Sequence, residues 1–315
     1  MKRTLKILAV LALTAMLVFV SGCTDQTETG DTETDTVDEN VDKEATIGYV
    51  LWDGEIASTN VMKLVLEEAG YDVEIIAVDA GALYQGLADS QFDFTTSAWL
   101  PQTQQNYWEQ YGDDIDSVAV NLEDCRIGLV VPTYVTIDSI EELNDNQEQF
   151  NGEIIGIDPG AGIMSTTETA IEEYDLDYSL VSSSSAGMTA SLTNSVEDEE
   201  WTVVTLWSPH WAFNKFDLKY LEDPQGVYGE ADHVETLARQ GLEEDDPELY
   251  GIISRFQWTH DDIQSVMEDL ADGVPEEEAA RTWVENNPEQ VNYWITGEMP
   301  EDAATENTST EEITE

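Results

Sequence analysis

Residues 201–211 read WTVVTLWSPHW, an apolar run that ends on Trp207 and then, within four residues, sets Trp211 in what reads as a loop. The pattern predicts a strand whose end opens onto solvent. Working backwards, AGMTASLTNSV (186–196) reads as a helix, YSLVSS (178–183) as a strand, STTETAIEEY (165–174) as a helix and EIIGID (153–158) as a strand. The same order occurs upstream. ATIGYVLW (45–52), VEIIAV (73–78) and FDFTTSAW (92–99) read as strands. Between them, STNVMKLVLEEAG (58–70) and AGALYQGLADS (80–90) read as helices, the first capped by Ser58 or Thr59, with Val61, Leu64 and Val65 on one face and Gly70 as its stop. Two β-α-β-α-β units of similar length imply an α/β protein of two lobes, each a mainly parallel sheet flanked by helices.

The remaining organisation follows from composition. The basic MKRTLK, the short apolar ILAVLALTAMLVFV and the small residues before Cys23 read as a signal peptide over 1–22. Val20, Ser21, Gly22 and Cys23 resemble the lipobox of bacterial lipoproteins, which implies a lipid anchor on Cys23 and an extracytoplasmic, membrane-anchored protein. Residues 23–44 and 301–315 are rich in carboxylates and poor in apolar side chains, too poor to bury a core, and read as a tether and a tail. Between them the expected boundaries are 45–133 for lobe 1 and 134–225 for lobe 2. A segment over 226–300, with helical periodicity from His233 onward, is expected to pack mainly on lobe 1. Cys125 is the only cysteine of this core, so no disulfide framework exists.

The chain carries a formal net charge of −57, and 53 acidic residues face seven Lys and Arg between 45 and 300. Self-repulsion of that size is relieved when molar salt shortens the screening length to roughly 3 Å. The composition therefore looks adapted to brine. Its sign excludes nucleic acid as a partner. No EF-hand spacing and no His or Cys cluster of ligand type is present, so neither a metal nor a cofactor is expected.

Three predicted strands end on tryptophan, at Trp52, Trp99 and Trp207. In open parallel sheets ligands bind beyond the carboxyl ends of the strands, so the three point to the same kind of place. One such residue alone is more often a core residue; three at equivalent ends of two closing lobes suggest a cage. The other informative loop is GIDPGAGIM (156–164), a glycine-rich turn leading into a helix in which Ser165 and Glu168 have capping-box spacing. Free N–H groups and the positive end of a helix dipole there suit an anion. An aromatic cage attracts a weakly hydrated cation such as a quaternary ammonium. Together they describe a small zwitterion.

At these residues, SAWLPQTQQNYW (97–108), GLVVPTYV (128–135), GIDPGAGIM and LWSPHWAFNKFDLKYLEDP (206–224) resemble the substrate-binding proteins of glycine betaine ABC importers. The resemblance implies a two-lobed, type II-like periplasmic-binding-protein fold that closes on a betaine, with a membrane permease as partner. It implies a prism of Trp52, Trp99 and Trp207 around the trimethylammonium, and backbone amides of Gly162 and Ile163 on the carboxylate. One position departs: the family places a His five residues after the second prism tryptophan, where this chain has Gln104, which can donate a hydrogen bond but carries no charge. His210 is a further candidate, with a structural hydrogen bond near the hinge as its other reading. A non-catalytic receptor is the leading expectation. A catalytic role is disfavoured because the chain has no GxSxG elbow and only three histidines. A sensor of the same fold, or a binder of choline or carnitine, are the alternatives.

Overall fold

The computed structural model describes residues 43–298. Its first half runs β1 (Glu44–Tyr49), α1 (Asp53–Glu68), β2 (Asp72–Ala77), α2 (Ala80–Ala88), β3 (Phe94–Leu100) and α3 (Gln105–Tyr111). β1 pairs in parallel with both β2 and β3. Every residue of β3 is buried, as expected of a strand covered on both faces. The next strand, β4 (Ile115–Pro132), is 18 residues long.

The second half repeats the pattern with β5 (Glu153–Ile155), α4 (Gly162–Glu173), β6 (Ser179–Val181), α5 (Ser185–Glu197) and β7 (Val204–Ser208), with β5 parallel to both neighbours. After α6 (Ala212–Lys215) and β8 (Leu218–Tyr220) the chain returns to the first half as β9 (Asp232–Arg239). The last described elements are α7 (Leu242–Asp245), α8 (Pro247–Arg255), α9 (His260–Ala271), α10 (Glu276–Asn286) and α11 (Pro288–Thr296). The strand order is β2-β1-β3-β9-β4-β7-β5-β6, with β8 also on β4.

Each half therefore has a parallel three-stranded core, and antiparallel strands join them. β4 serves both: its residues Ile115–Cys125 pair with β9, and Arg126–Pro132 pair with β7 and β8. The chain crosses between halves at the middle of β4 and again between β8 and β9. Two extended crossings are the kind of connection about which halves can rotate.

Three local readings are corrected here. The segment read as helical from His233 begins as the strand β9. Burial alternates from Asp232 to Thr236, with His233 and Glu235 half-buried between Asp232, Val234 and Thr236, a period of two that suits a strand, and Leu237 and Ala238 are both buried. Helix α1 begins at Asp53, with Trp52 as its N-cap, five residues before the expected Ser58. Ser58 sits inside the helix because its hydroxyl finds Thr96 Oγ1 at 2.8 Å. Helix α4 begins at Gly162 with Ala161 as N-cap, and the expected capping box does not form, since Ser165 Oγ donates back to the Gly162 carbonyl at 2.8 Å.

Helices α9 and α10 pack on α1, whose own residues from Ala57 to Val61 are buried all round. An aromatic cluster holds this layer together: Trp283 stacks on Trp294 at 5.4 Å and 11°, with Trp258 and Phe256 edge-on to them. Among the described residues no helix is long and apolar enough to cross a membrane. Cys23, the expected signal peptide, the tether up to its last two residues and the whole of the tail lie outside the described residues.

Candidate functional site

Where the parallel strands of the two halves end, the helices that follow them point their first turns at each other. Trp52 caps α1, Trp99 lies near the end of β3, and Trp207 near the end of β7. The three rings line one cavity, together with Glu55, Thr103, Ile127, Ile157, Ala161, Gly162 and Ile163. The cavity is small, about 20 Å³, so a ligand of several heavy atoms fits only as the walls part. A wider space of about 490 Å³ adjoins it at Trp52 and Ala161 and forms the mouth, with Asp79 and Asp158 on its rim.

Each ring has a polar or aromatic partner that holds it in place. Trp99 Nε1 donates to Glu55 Oε1 at 2.8 Å, and Trp52 Nε1 donates to Asp158 Oδ2 at 3.3 Å. Trp207 meets the His210 ring edge-on at 4.9 Å. All three tryptophans are less than a tenth exposed, which fixes their rotamers through packing.

The opposite wall is the start of α4. Gly162 and Ile163 are its first two residues, so their N–H groups have no intrahelical acceptor. Neither has another acceptor among the described residues. They present two free donors and the positive end of a twelve-residue helix to the cavity. Gly162 is required sterically: a Cβ there would stand 1.8 Å from the Thr103 carbonyl oxygen.

Of the expected site residues, the structure brings together Trp52, Trp99, Trp207, Gly162 and Ile163. It does not bring Gln104 to the wall. Gln104 is 1% exposed behind Trp99, and its Oε1 accepts from Trp99 N–H at 3.0 Å and from the Tyr84 hydroxyl at 2.9 Å. Thr103 takes the lining position, its N–H and hydroxyl both donating to Asp232. His210 is also absent from the wall. Its Nδ1 accepts from Ala212 N–H at 3.1 Å, which leaves its ring proton on Nε2, 3.7 Å from Asp53 Oδ2.

Asp53 ties the halves together. Its carboxylate accepts from Ser185 Oγ at 2.6 Å and from Trp211 Nε1 at 2.7 Å, both in the second half. Burial alone would raise its carboxyl, yet the nearby His210 ring and the Ser185 and Trp211 hydrogen bonds hold it down at about 2. Glu55, two residues on, behaves oppositely: burial pushes its carboxyl up to about 7 against the pull of the Trp99 hydrogen bond, and Asp53 adds to the rise. Placing the start of α1 at Ser58 hides both carboxylates from a sequence reading. The signal that marks them is WDGE (52–55), an acidic pair in the first turn of a helix directly after a strand.

The family described as the substrate binding domain of ABC-type glycine betaine transport systems matches residues 43–286. The glycine betaine/carnitine transport binding protein GbuC of Listeria monocytogenes is 46% identical over 165 residues, which is 51% of this chain and 55% of that protein. The chain thus spans about half the length of this curated relative. Lactococcal OpuAC, solved in a closed-liganded conformation with glycine betaine, is 41% identical with a TM-score of 0.78, covering 81% of this chain and 100% of that one. The glycine betaine/L-proline-binding protein ProX of Borrelia burgdorferi gives the same identity and TM-score over 82% of this chain and 98% of that one.

Proposed function

Because the chain belongs to the family of substrate-binding domains of ABC-type glycine betaine transport systems, we propose that it captures glycine betaine or a related quaternary ammonium osmolyte and delivers it to an ABC importer. The observation that carries this reading is the single cavity shared by Trp52, Trp99, Trp207 and the start of α4. The trimethylammonium sits among the three aromatic faces, where each desolvated cation–π contact contributes roughly 2 kcal/mol. The carboxylate takes the N–H groups of Gly162 and Ile163 and the helix dipole. With Gln104 turned to Trp99 and Tyr84, those two amides are the polar contacts for the anionic end.

Capture is a movement and involves no chemistry on the ligand. The two halves, whose changeovers within β4 and between β8 and β9 lie near the expected lobe ends at 133 and 225, rotate about those crossings, and the closed form is the one a permease recognises. The protein works outside the membrane, anchored through a lipid on Cys23, in a medium salty enough to screen its charge.

A fluorescence titration of the purified protein in high salt tests the reading, because three of the wall residues are tryptophans. Saturable change with glycine betaine is expected, with choline weaker because it has no carboxylate for α4. No response to glycine betaine, carnitine or choline overturns the proposal.

A further inference from the structure

The cage contains one group that neither packing nor the capture of a carboxylate explains. Glu55 lies in the wall of the cavity beside the three tryptophans and is 3% exposed. Its Oε1 accepts the Trp99 indole N–H. Its Oε2 is buried and has no hydrogen-bond partner among the described residues. An ionised carboxylate with a bare buried oxygen is costly unless a positive charge compensates it. No Lys or Arg lines the cavity.

Resting on the proposed function, we infer that Glu55 is the counter-ion of the caged ammonium and that capture of the ligand expels a proton from its carboxyl group. In the empty site burial pushes the Glu55 carboxyl up to about 7, so near neutral pH much of it is the neutral acid. When a quaternary ammonium enters, its fixed positive charge favours the carboxylate. The O–H bond of the acid breaks, its electron pair stays on the carboxylate oxygen, and the proton passes to bulk water. The Trp99 hydrogen bond becomes charge-assisted in the same step and tightens that wall of the cage.

The other titratable groups around Glu55 are accounted for. On its own helix Asp53 is held down at about 2 and stays ionised. On β4 the Cys125 thiol is pushed up by burial and by the carboxylates near it, Glu55 included, so it stays neutral. After β7, His210 faces Asp53 with its Nε2. Asp158, ahead of α4, accepts from Trp52, and Asp232 at the start of β9 accepts from Gln102 and Thr103 N–H groups. Glu55 is the carboxylate of this set with a bare oxygen.

The sign follows from linkage. A ligand that prefers the ionised form binds more weakly as pH falls through the free-site value. With that value at about 7, and much lower when occupied, affinity for glycine betaine at pH 6 is about tenfold weaker than at pH 8. Glycine betaine itself does not change charge in this range.

Calorimetric titration of the intact protein with glycine betaine at pH 6 and pH 8, in two buffers of different ionisation enthalpy at one high salt concentration, tests the inference. Close to one proton released per ligand at pH 6, close to none at pH 8, and a tenfold affinity difference are expected. Glu55→Gln keeps an acceptor for the Trp99 N–H and should bind with a pH-independent affinity, weaker than wild type at pH 8. Saturable binding without proton release, or a Glu55→Gln protein that keeps the wild-type pH slope, overturns the inference and leaves the functional reading standing. No saturable binding at either pH overturns both. The wild-type proton count stands even where the variant does not fold.

Discussion

Gly162 and Thr103 approach so closely that a Cβ on the glycine would stand 1.8 Å from the threonine carbonyl oxygen. Thr103 follows β3 in the first half of the sheet and Gly162 opens α4 in the second, so this is a contact of the two halves at the cavity wall. The obstacle is backbone, which cannot rotate aside as a side chain would. Gly162→Ala should therefore hold the halves apart. The expected outcome is loss of at least tenfold in glycine betaine affinity, with the melting temperature of the unliganded protein little changed. A variant that binds like wild type would show that closure does not bring these residues together.

The tryptophans divide into two groups that mutation should separate. Trp99→Ala and Trp207→Ala are expected to weaken ligand binding by roughly 1 to 3 kcal/mol each, from lost cation–π contact and apolar burial. Trp283 is equally buried but stacks on Trp294, far along the chain from any cavity residue. Trp283→Ala should instead cost about 3 to 5 kcal/mol of stability and leave the affinity of the folded fraction intact. Thermal melts and fluorescence titrations on the same three proteins check the division. Wild-type affinity in either cavity variant would defeat the cage.

These two predictions also mark what was legible in the sequence. Both parallel cores were readable because each strand is a short apolar run set off by an amphipathic helix, and the tryptophans at their ends were readable for the same reason. β9 was not. Val234 and Leu237 are three apart and Leu242 follows, a spacing that mimics a helix, and the pairing that makes β9 a strand is with residues more than a hundred positions away. Glu55 was hidden by the Ser58 and Thr59 pair, which looks like a cap in sequence and is buried in mid-helix in the structure. Gln104 shows a further limit: its position in the motif suggests the cavity, while hydrogen bonds from Tyr84 and Trp99 turn its oxygen away.

Asp53 and Glu55 should move stability in opposite directions with pH. Asp53, lowered from 3.8 to about 2, contributes stability that is present above pH 4 and lost as pH falls through 2, at most about 2 kcal/mol. Glu55, raised from 4.5 to about 7, binds a proton more tightly in the folded state, so its contribution is lost as pH rises from 4.5 to 7. In the absence of ligand, Glu55→Gln should accordingly melt higher than wild type at pH 8 and lose that advantage at pH 4.5. Asp53→Asn should melt lower than wild type at pH 7 and converge with it near pH 2. Parallel pH profiles for the two variants would contradict the assignment.

Salt should act on the whole domain. The 53 carboxylates between 45 and 300 outnumber Lys and Arg so far that ion pairing cannot neutralise them, and exposed pairs such as Arg281–Glu277 contribute little by themselves. What remains is repulsion over distances of about 10 Å, which 0.1 M salt screens weakly and 1 M salt screens almost fully. The melting temperature of the unliganded protein should rise steadily between those concentrations and level off above them. Since the interaction is general, chloride salts of sodium and potassium should serve alike, whereas a dependence on one cation would point to a specific site. A melting temperature independent of salt would mean that the carboxylates are spaced widely enough for water alone to screen them, and the charge would then carry no stability argument.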